Sequence, residues 1–105
     1  MTEIIRTNIG VSTYLMPTGS LADKESLASL RAAFDKCIEG GITKVVVNME
    51  RVSSLTGEVL EFLLDTQDTL VAMGGQLSVI HPNALLKDIF KITDFGKFIE
   101  VKDLP

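Results

Sequence analysis

Short apolar stretches of β-type residues open this chain, and apolar residues at helical spacing follow them. Residues 3 to 8 and 10 to 16 predict two strands joined by a turn at Asn8-Ile9-Gly10. The second strand should end at Pro17, because proline cannot donate a backbone hydrogen bond within a sheet. Residues 17 to 20 are typical of a loop.

The next segment predicts a helix that follows an N-cap at Asp23. Its apolar stripe is Leu27, Leu30, Phe34, Cys37 and Ile38. Gly40-Gly41 predicts the helix end, because glycine accepts the left-handed conformation found there. Residues 42 to 49 contain the apolar run Val45-Val46-Val47, which predicts a central strand covered on both faces.

A second helix is predicted from near Gly57 to about Met73, closed by Gly74-Gly75, with Thr56 as an N-cap. Its expected apolar stripe is Leu60, Leu63, Leu64, Leu70 and Val71, and its expected exposed residues are Asp65, Gln67 and Asp68. Ser53 and Ser54 before it are interpreted as turn residues.

The last third of the chain predicts a strand over residues 76 to 80 and a short helix from an Asn83 cap through Phe90. Residues 97 to 101 should form a final short strand or extended tail. The resulting order, β-β-α-β-α-β-α-β, predicts an α/β fold with a small mixed sheet of four to five strands and about three to four helices. At 105 residues, we expect residues 1–105 to form one domain.

Composition and charge limit the classes of function that this chain is expected to have. Ten Lys and Arg residues are scattered against 14 Asp and Glu, a net charge of −4, so no basic surface for nucleic acid is expected. No apolar run approaches the roughly 20 residues that span a bilayer, so we expect no direct membrane insertion. With one cysteine and no apolar leader at residues 1 to 7, we predict a cytoplasmic protein.

Candidate catalytic chemistry is sparse in the sequence. His81 is the single histidine and is interpreted as a polar residue that ends a strand. Cys37 lies on the apolar stripe of the first helix and is interpreted as core. We therefore expect no enzyme, no catalytic residues, no metal site and no cofactor.

Three groups of residues resemble one known family. They are Gly19-Ser20-Leu21 before the first helix, Val45-Val46-Val47-Asn48-Met49 with Val52, and the series Leu63-Leu64, Gly74-Gly75-Gln76-Leu77, His81-Pro82 and Ile89-Phe90-Lys91-Ile92-Thr93. In this order they resemble the STAS family, the sulphate-transporter and anti-sigma-factor-antagonist domains. The register holds without a gap from Val45 to Val101. The resemblance implies a single STAS-like domain.

The family's phosphorylation motif is Asp-Ser-Ser/Thr-Gly, where the second hydroxyl accepts phosphate. In the ungapped register this chain has Thr56-Gly57-Glu58-Val59. Glu58 therefore occupies the phosphoacceptor-equivalent position, and it either mimics a phosphoserine or is simply an acidic residue in a first helical turn. A register slipped by two residues makes Thr56 the less favoured alternative phosphoacceptor.

The resemblance implies a non-enzymatic regulator of bacterial signalling that binds a kinase-type anti-sigma factor through residues 53–61. The expected partner-binding residues are Ser54, Thr56, Gly57, Glu58, Glu61 and Asp23. One alternative is a constitutive adaptor in a signalling scaffold or a lipid-transport ATPase complex, and another is a small-ligand sensor. The sequence leaves the oligomeric state open.

Overall fold

The computed structural model describes residues 3–102, which form a single small α/β domain with three helices and a five-stranded mixed sheet. The elements are β1 (Ile4–Ile9), β2 (Ser12–Pro17), β3 (Gly19–Leu21), α1 (Lys24–Glu39), β4 (Lys44–Asn48), β5 (Val52–Leu55), α2 (Gly57–Ala72), β6 (Gln76–Ile80), α3 (Ala84–Ile92), a 3₁₀ turn (Phe95–Lys97) and β7 (Glu100–Lys102). The predicted fold class is confirmed.

The main sheet has the strand order β1-β2-β4-β6-β7. β1 and β2 form an antiparallel hairpin closed at Gly10, whose φ is +60°, and the other neighbours are parallel. Inward-facing side chains align across the strands, as in the row Leu15, Val47 and Val79. All three are fully buried, so this face of the sheet carries the core.

The opposite face of the sheet is partly open to solvent. Val46, in the middle of the central strand, is only half-buried, between the fully buried Val45 and Val47. The prediction that this strand is covered on both faces is therefore wrong. A continuous apolar run is typical of a strand with helices packed on both faces of its sheet, but here the helices bury only the face that carries Val45 and Val47.

A second, two-stranded parallel sheet pairs β3 with β5. The predictions of a loop over residues 17 to 20 and of turn residues at Ser53 and Ser54 are therefore wrong at Gly19 and Ser20, which lie in β3, and at Ser53 and Ser54, which lie in β5. The Gly19 N–H donates to the Arg51 carbonyl at 2.8 Å while Gly19 adopts a φ of +89°. Each strand is too short to show alternation in sequence, and each needs the other as its partner.

The three helix starts agree with the sequence. Asp23, Thr56 and Asn83 each accept a backbone N–H from the first turn of α1, α2 and α3. Asn83 also donates its side-chain amide to the Val52 carbonyl at 3.1 Å, which ties the start of α3 to β5. These caps fix where each helix begins and hence which polar groups lie at that end of the sheet.

The expected faces of α2 need correction. Gln67, expected to be exposed, is half-buried, and its Oε1 accepts the Leu77 N–H at 2.7 Å while its Nε2 donates to the Phe98 carbonyl at 3.1 Å. Val71, expected in the apolar stripe, is 53% exposed. β7 pairs with β6 only from Ser78 onward, so Leu77 has no partner residue in β7. The Gln67 side chain accepts the Leu77 N–H in place of a strand carbonyl.

The end of the chain also differs from the prediction. α3 continues to Ile92, and Lys97 closes the 3₁₀ turn instead of opening a strand. Asp94 turns the chain with a φ of +57°, which lets Phe95 stack on Phe90 at a centroid distance of 4.5 Å. No helix within residues 3–102 is long and apolar enough to cross a membrane.

Candidate functional site

The start of α2 is an exposed helix N-terminus that follows β5 directly. Thr56 has extended backbone angles, and its Oγ1 accepts the Val59 N–H at 3.4 Å. The predicted N-cap role of Thr56 is therefore confirmed. Gly57 and Glu58 follow in the first turn and are exposed. The carboxylate of Glu58 lies where free N–H groups and the helix dipole favour negative charge, an effect of about 0.3–1 kcal/mol at exposed positions.

The start of α1 carries a second acidic group. The exposed Asp23 accepts the Ser26 N–H through its Oδ1 at 2.7 Å. Hydrogen bonds from the Ser26 amide, and secondly from its hydroxyl, hold the pKa of the Asp23 carboxyl below its ordinary value. Asp23 is therefore an ionised cap near neutral pH.

The two helix starts meet at a shallow depression of about 360 Å³, which we call the helix-start depression. It is lined by Ala22, Asp23, Lys24, Leu27, Thr56 and Glu58. Of the predicted partner-binding residues, the fold thus brings Asp23, Thr56 and Glu58 to one place, although Asp23 and Thr56 lie 33 positions apart in sequence. Lys24 supplies the single positive charge of this lining.

Ser54 lies outside the lining of that depression. Its Oγ is 2.9 Å from the Oγ of Ser20, across the β3–β5 pair. Ser20 also accepts the Ser26 hydroxyl through its carbonyl at 3.2 Å. Through Ser20 of β3, these bonds connect β5 to the start of α1, so Ser54 holds the two helix starts together while Thr56 and Glu58 line the surface.

A longer groove runs between α1 and α2 and shares Leu27 and Glu58 with the helix-start depression. Its volume is about 570 Å³, and we call it the acidic groove. Leu27, Phe34, Ile38 and Phe62 supply apolar lining, and Asp35, Glu58, Glu61 and Asp65 supply carboxylates. Arg31 is the one basic residue there, with its Cζ 4.9 Å from the centroid of the Phe62 ring. The groove therefore offers apolar contact within a surface of negative charge.

Sequence reasoning found Glu58 and Glu61 but missed the α1 side of this groove. Leu27, Arg31, Asp35 and Ile38 recur at spacings of four, four and three, which places them on one helix face. That spacing was a usable signal. It was missed because mixed apolar and charged residues along a helix are also common on a plain solvent-exposed side.

Other reactive side chains lie elsewhere. Cys37 is fully buried on α1, and burial raises the pKa of its thiol. His81 follows β6 in the left-handed region with a φ of +56°, and its N–H donates to the Lys102 carbonyl at 3.0 Å. Among residues 3–102, no three His, Cys, Asp or Glu side chains cluster so as to hold a metal ion.

The Asp23 cap predicts a pH-dependent stability. Because its pKa is lower in the folded state than the roughly 3.9 of an unfolded aspartate, its charge stabilises the fold above that value. The stabilisation is lost as pH falls through the folded pKa. Asp23→Asn keeps an N-cap acceptor without titrating, so the difference in unfolding free energy between wild type and variant should be constant above about pH 5 and shrink below about pH 4. Chemical denaturation at a series of pH values measures it, and a difference unchanged down to pH 3 would contradict the assignment.

Comparison with known proteins gives a family match over almost the whole chain. A family model described as the STAS domain matches residues 6–104. No curated protein sequence matches the chain.

Several solved structures share the fold. A Thermotoga maritima protein described as a candidate anti-sigma factor antagonist is 17% identical, with a TM-score of 0.88 over 96% of this chain and 86% of that chain. An anti-sigma factor antagonist from Mycobacterium paratuberculosis is 14% identical, with a TM-score of 0.86 over 99% and 87%. The unphosphorylated anti-sigma factor antagonist SpoIIAA is 19% identical, with a TM-score of 0.76 over 98% and 90%. The phosphorylated form of SpoIIAA, a Bacillus cell fate determinant, also matches.

Proposed function

The chain belongs to the STAS domain family, and from that membership we propose that it regulates bacterial signalling by binding another protein, in the manner of an anti-sigma factor antagonist. The proposed partner is an anti-sigma factor with a kinase-type ATP-binding fold. The proposed contact surface consists of the helix-start depression and the adjoining end of the acidic groove. The observation that carries this proposal is the exposed meeting of two helix starts, with Asp23, Thr56 and Glu58 on one surface.

Charge supports a partner with a basic contact surface. Glu58 and Glu61 lie on the α2 side of the acidic groove, with Asp65 one turn further along. Opposite charges across an interface steer association and exclude wrong partners. The apolar side chains of the groove offer additional contact to such a partner, and the carboxylates favour a basic one.

The phosphorylation switch is proposed to be lost. SpoIIAA exists in phosphorylated and unphosphorylated forms, whereas Glu58 has no hydroxyl to accept phosphate. Its single negative charge at the start of α2 resembles a phosphoserine in sign and location. Thr56 is the alternative phosphoacceptor, but its hydroxyl already caps α2. We therefore propose that this protein binds its partner without release by phosphorylation.

The test begins with capture of partners from the native host and identification by mass spectrometry, followed by affinity measurement with the purified kinase-type partner. Glu61→Lys should weaken binding at least about tenfold, because it reverses a charge at the proposed contact. Glu39→Lys is the matched control: Glu39 is exposed at the far end of α1, roughly 20 Å from its start, and its reversal should leave affinity unchanged.

The switch is tested with the same partner and labelled ATP. Wild type should take up no phosphate, and Glu58→Ser should be labelled on the introduced serine. Glu58→Gln keeps the shape and removes the charge, so it separates charge mimicry from packing. Phosphate on Thr56 of the wild-type protein would overturn the loss of the switch. Specific capture of transporter or scaffold subunits, with affinity indifferent to Glu58 and Glu61, would favour the adaptor function instead.

A further inference from the structure

Among residues 3–102, no strand pairs with the outer edge of β1. β1 has six residues, contains no proline or lysine, pairs with β2 in an unbroken register, and carries Arg6 as its one charge. The other edge strand, β7, has three residues, two of them charged. Proteins commonly guard sheet edges with short strands, charges, prolines or bulges. β7 has two of these features, and β1 offers a longer template for another strand.

The backbone hydrogen bonds identify which residues face that open edge. The Thr18 N–H donates to the Glu3 carbonyl at 2.9 Å, and these two residues are opposed when the β1–β2 register is extended by one pair. Hydrogen-bonded pairs alternate along an antiparallel ladder. The odd-numbered residues of β1 therefore direct their N–H and C=O groups to β2, and the even-numbered ones direct theirs outward; the outward residues are Ile4, Arg6 and Asn8.

Two further features agree with this assignment. A two-residue hairpin loop is flanked by a hydrogen-bonded pair, which here is Ile9 with Ser12. Side chains approach more closely in the intervening pairs, and the Thr13 hydroxyl donates to Asn8 Oδ1 at 2.9 Å.

This geometry restricts how a second copy could pair with β1 in antiparallel orientation. The outward residues of one copy must lie opposite the outward residues of the other, because only these direct N–H and C=O groups across the interface. The two-fold axis therefore passes through a residue position and not between two positions. Only axes at Arg6 and Thr7 overlap five residues of β1 with five of the second copy. The axis at Arg6 sets two guanidinium groups directly opposite each other, which is unfavourable. The axis at Thr7 sets Arg6 opposite Asn8 of the second copy and Ile5 opposite Ile9 of the second copy.

We propose that two copies of this chain associate through β1, antiparallel and with the two-fold axis at Thr7. Ile5 and Ile9 are 42% and 58% exposed in the single chain, and each gains an apolar cross-strand neighbour in the pair. Their row continues onto Met16, which lies opposite Ile5 in β2, so an apolar row crosses from the sheet of one copy to the sheet of the other. The proposal does not rest on the proposed function.

Disulfide trapping tests the register residue by residue. Thr7→Cys places the cysteines of the two copies directly opposite each other at the axis. The Cα atoms of directly opposed residues on antiparallel strands lie within the distance range that a disulfide accepts. It should form covalent dimers under mild oxidation at least about tenfold faster than Val71→Cys, an exposed control on α2. Ile5→Cys alone should not cross-link, because its own copy lies four residues away, whereas a mixture with Ile9→Cys should. Wild type, whose one cysteine is the buried Cys37, reports the background.

Sedimentation measures the association without cross-linking. Arg6→Pro removes an outward N–H and no bond to β2, so the monomer should stay folded by circular dichroism while the dimer is lost. Ile9→Lys, which sets a charge opposite Ile5, should also give monomers. A wild-type protein that stays monomeric at about 100 μM would overturn the proposal. Faster trapping through Arg6→Cys than through Thr7→Cys would overturn the register.

Discussion

Replacing Gly75 by alanine is expected to destabilise the fold by about 3 kcal/mol, the upper part of the usual range for inserting a methyl group into a packed site. Gly75 connects α2 to β6, and its N–H donates to the Leu70 carbonyl at 2.8 Å. A Cβ at this position would collide with the backbone carbonyl of Thr43. That carbonyl also accepts the Gln76 N–H at 3.0 Å, so it cannot move away without breaking a bond at the start of the sheet.

Gly57→Ala is the matched control for this prediction, since it adds the same methyl group. A Cβ at Gly57 meets no atom within 4 Å outside its chain neighbours and its own helical turn, so the change in unfolding free energy should stay within about 1 kcal/mol and favour the helix. Urea denaturation of both variants measures the comparison. Equal stability of the two variants would show that the approach of Gly75 to Thr43 imposes no constraint.

Phe34→Ala is expected to cost about 3–5 kcal/mol of unfolding free energy, the range for removing a buried aromatic side chain. Phe34 is 1% exposed on α1, and its ring meets Phe62 of α2 edge to face, with centroids 5.7 Å apart at an angle of 70°. The deletion removes the contact that sets α1 against α2 beneath the acidic groove. Partner affinity should therefore fall along with stability.

Phe98→Ala makes the same chemical change at a ring that is 63% exposed. Its cost should be below about 1 kcal/mol, because little of the ring is removed from water in the folded state. Thermal and chemical denaturation of the two variants side by side would check the prediction. A loss below about 1 kcal/mol for Phe34→Ala would mean that the space it leaves refills by rearrangement of α1 and α2.

The elements that sequence reasoning located well are those specified by local chemistry. Asp23, Thr56 and Asn83 each cap a helix, and a cap needs only residues two or three positions away. The β3–β5 pair was missed because it joins segments about 33 residues apart, and neither strand has enough residues to show a period. Gln67 was misassigned for a related reason, since its burial depends on a gap between β6 and β7.

The candidate site was predictable to a similar extent. Ser54, Thr56, Gly57, Glu58 and Glu61 lie close together in sequence, so the resemblance at the start of the second helix indicated them as a group, and Asp23 was added because it caps the start of the first helix. Predicting the acidic groove would have required knowing which face of α1 is turned toward α2. That rotation is set by core contacts such as Phe34 with Phe62, which a single helix pattern does not determine.

The side chain of Gln67 makes the start of β6 independent of the last strand, β7. Leu77 is the residue of β6 just before the segment that pairs with β7. Its backbone N–H donates to Gln67 Oε1, so α2, and not β7, supplies its hydrogen-bond acceptor. Local opening of β7, three residues at the end of the described chain, would expose the outer edge of β6 only from Ser78 onward. The helix thus limits fraying at this edge to the length of one short strand, and the central strands behind it keep their protection when the chain end opens.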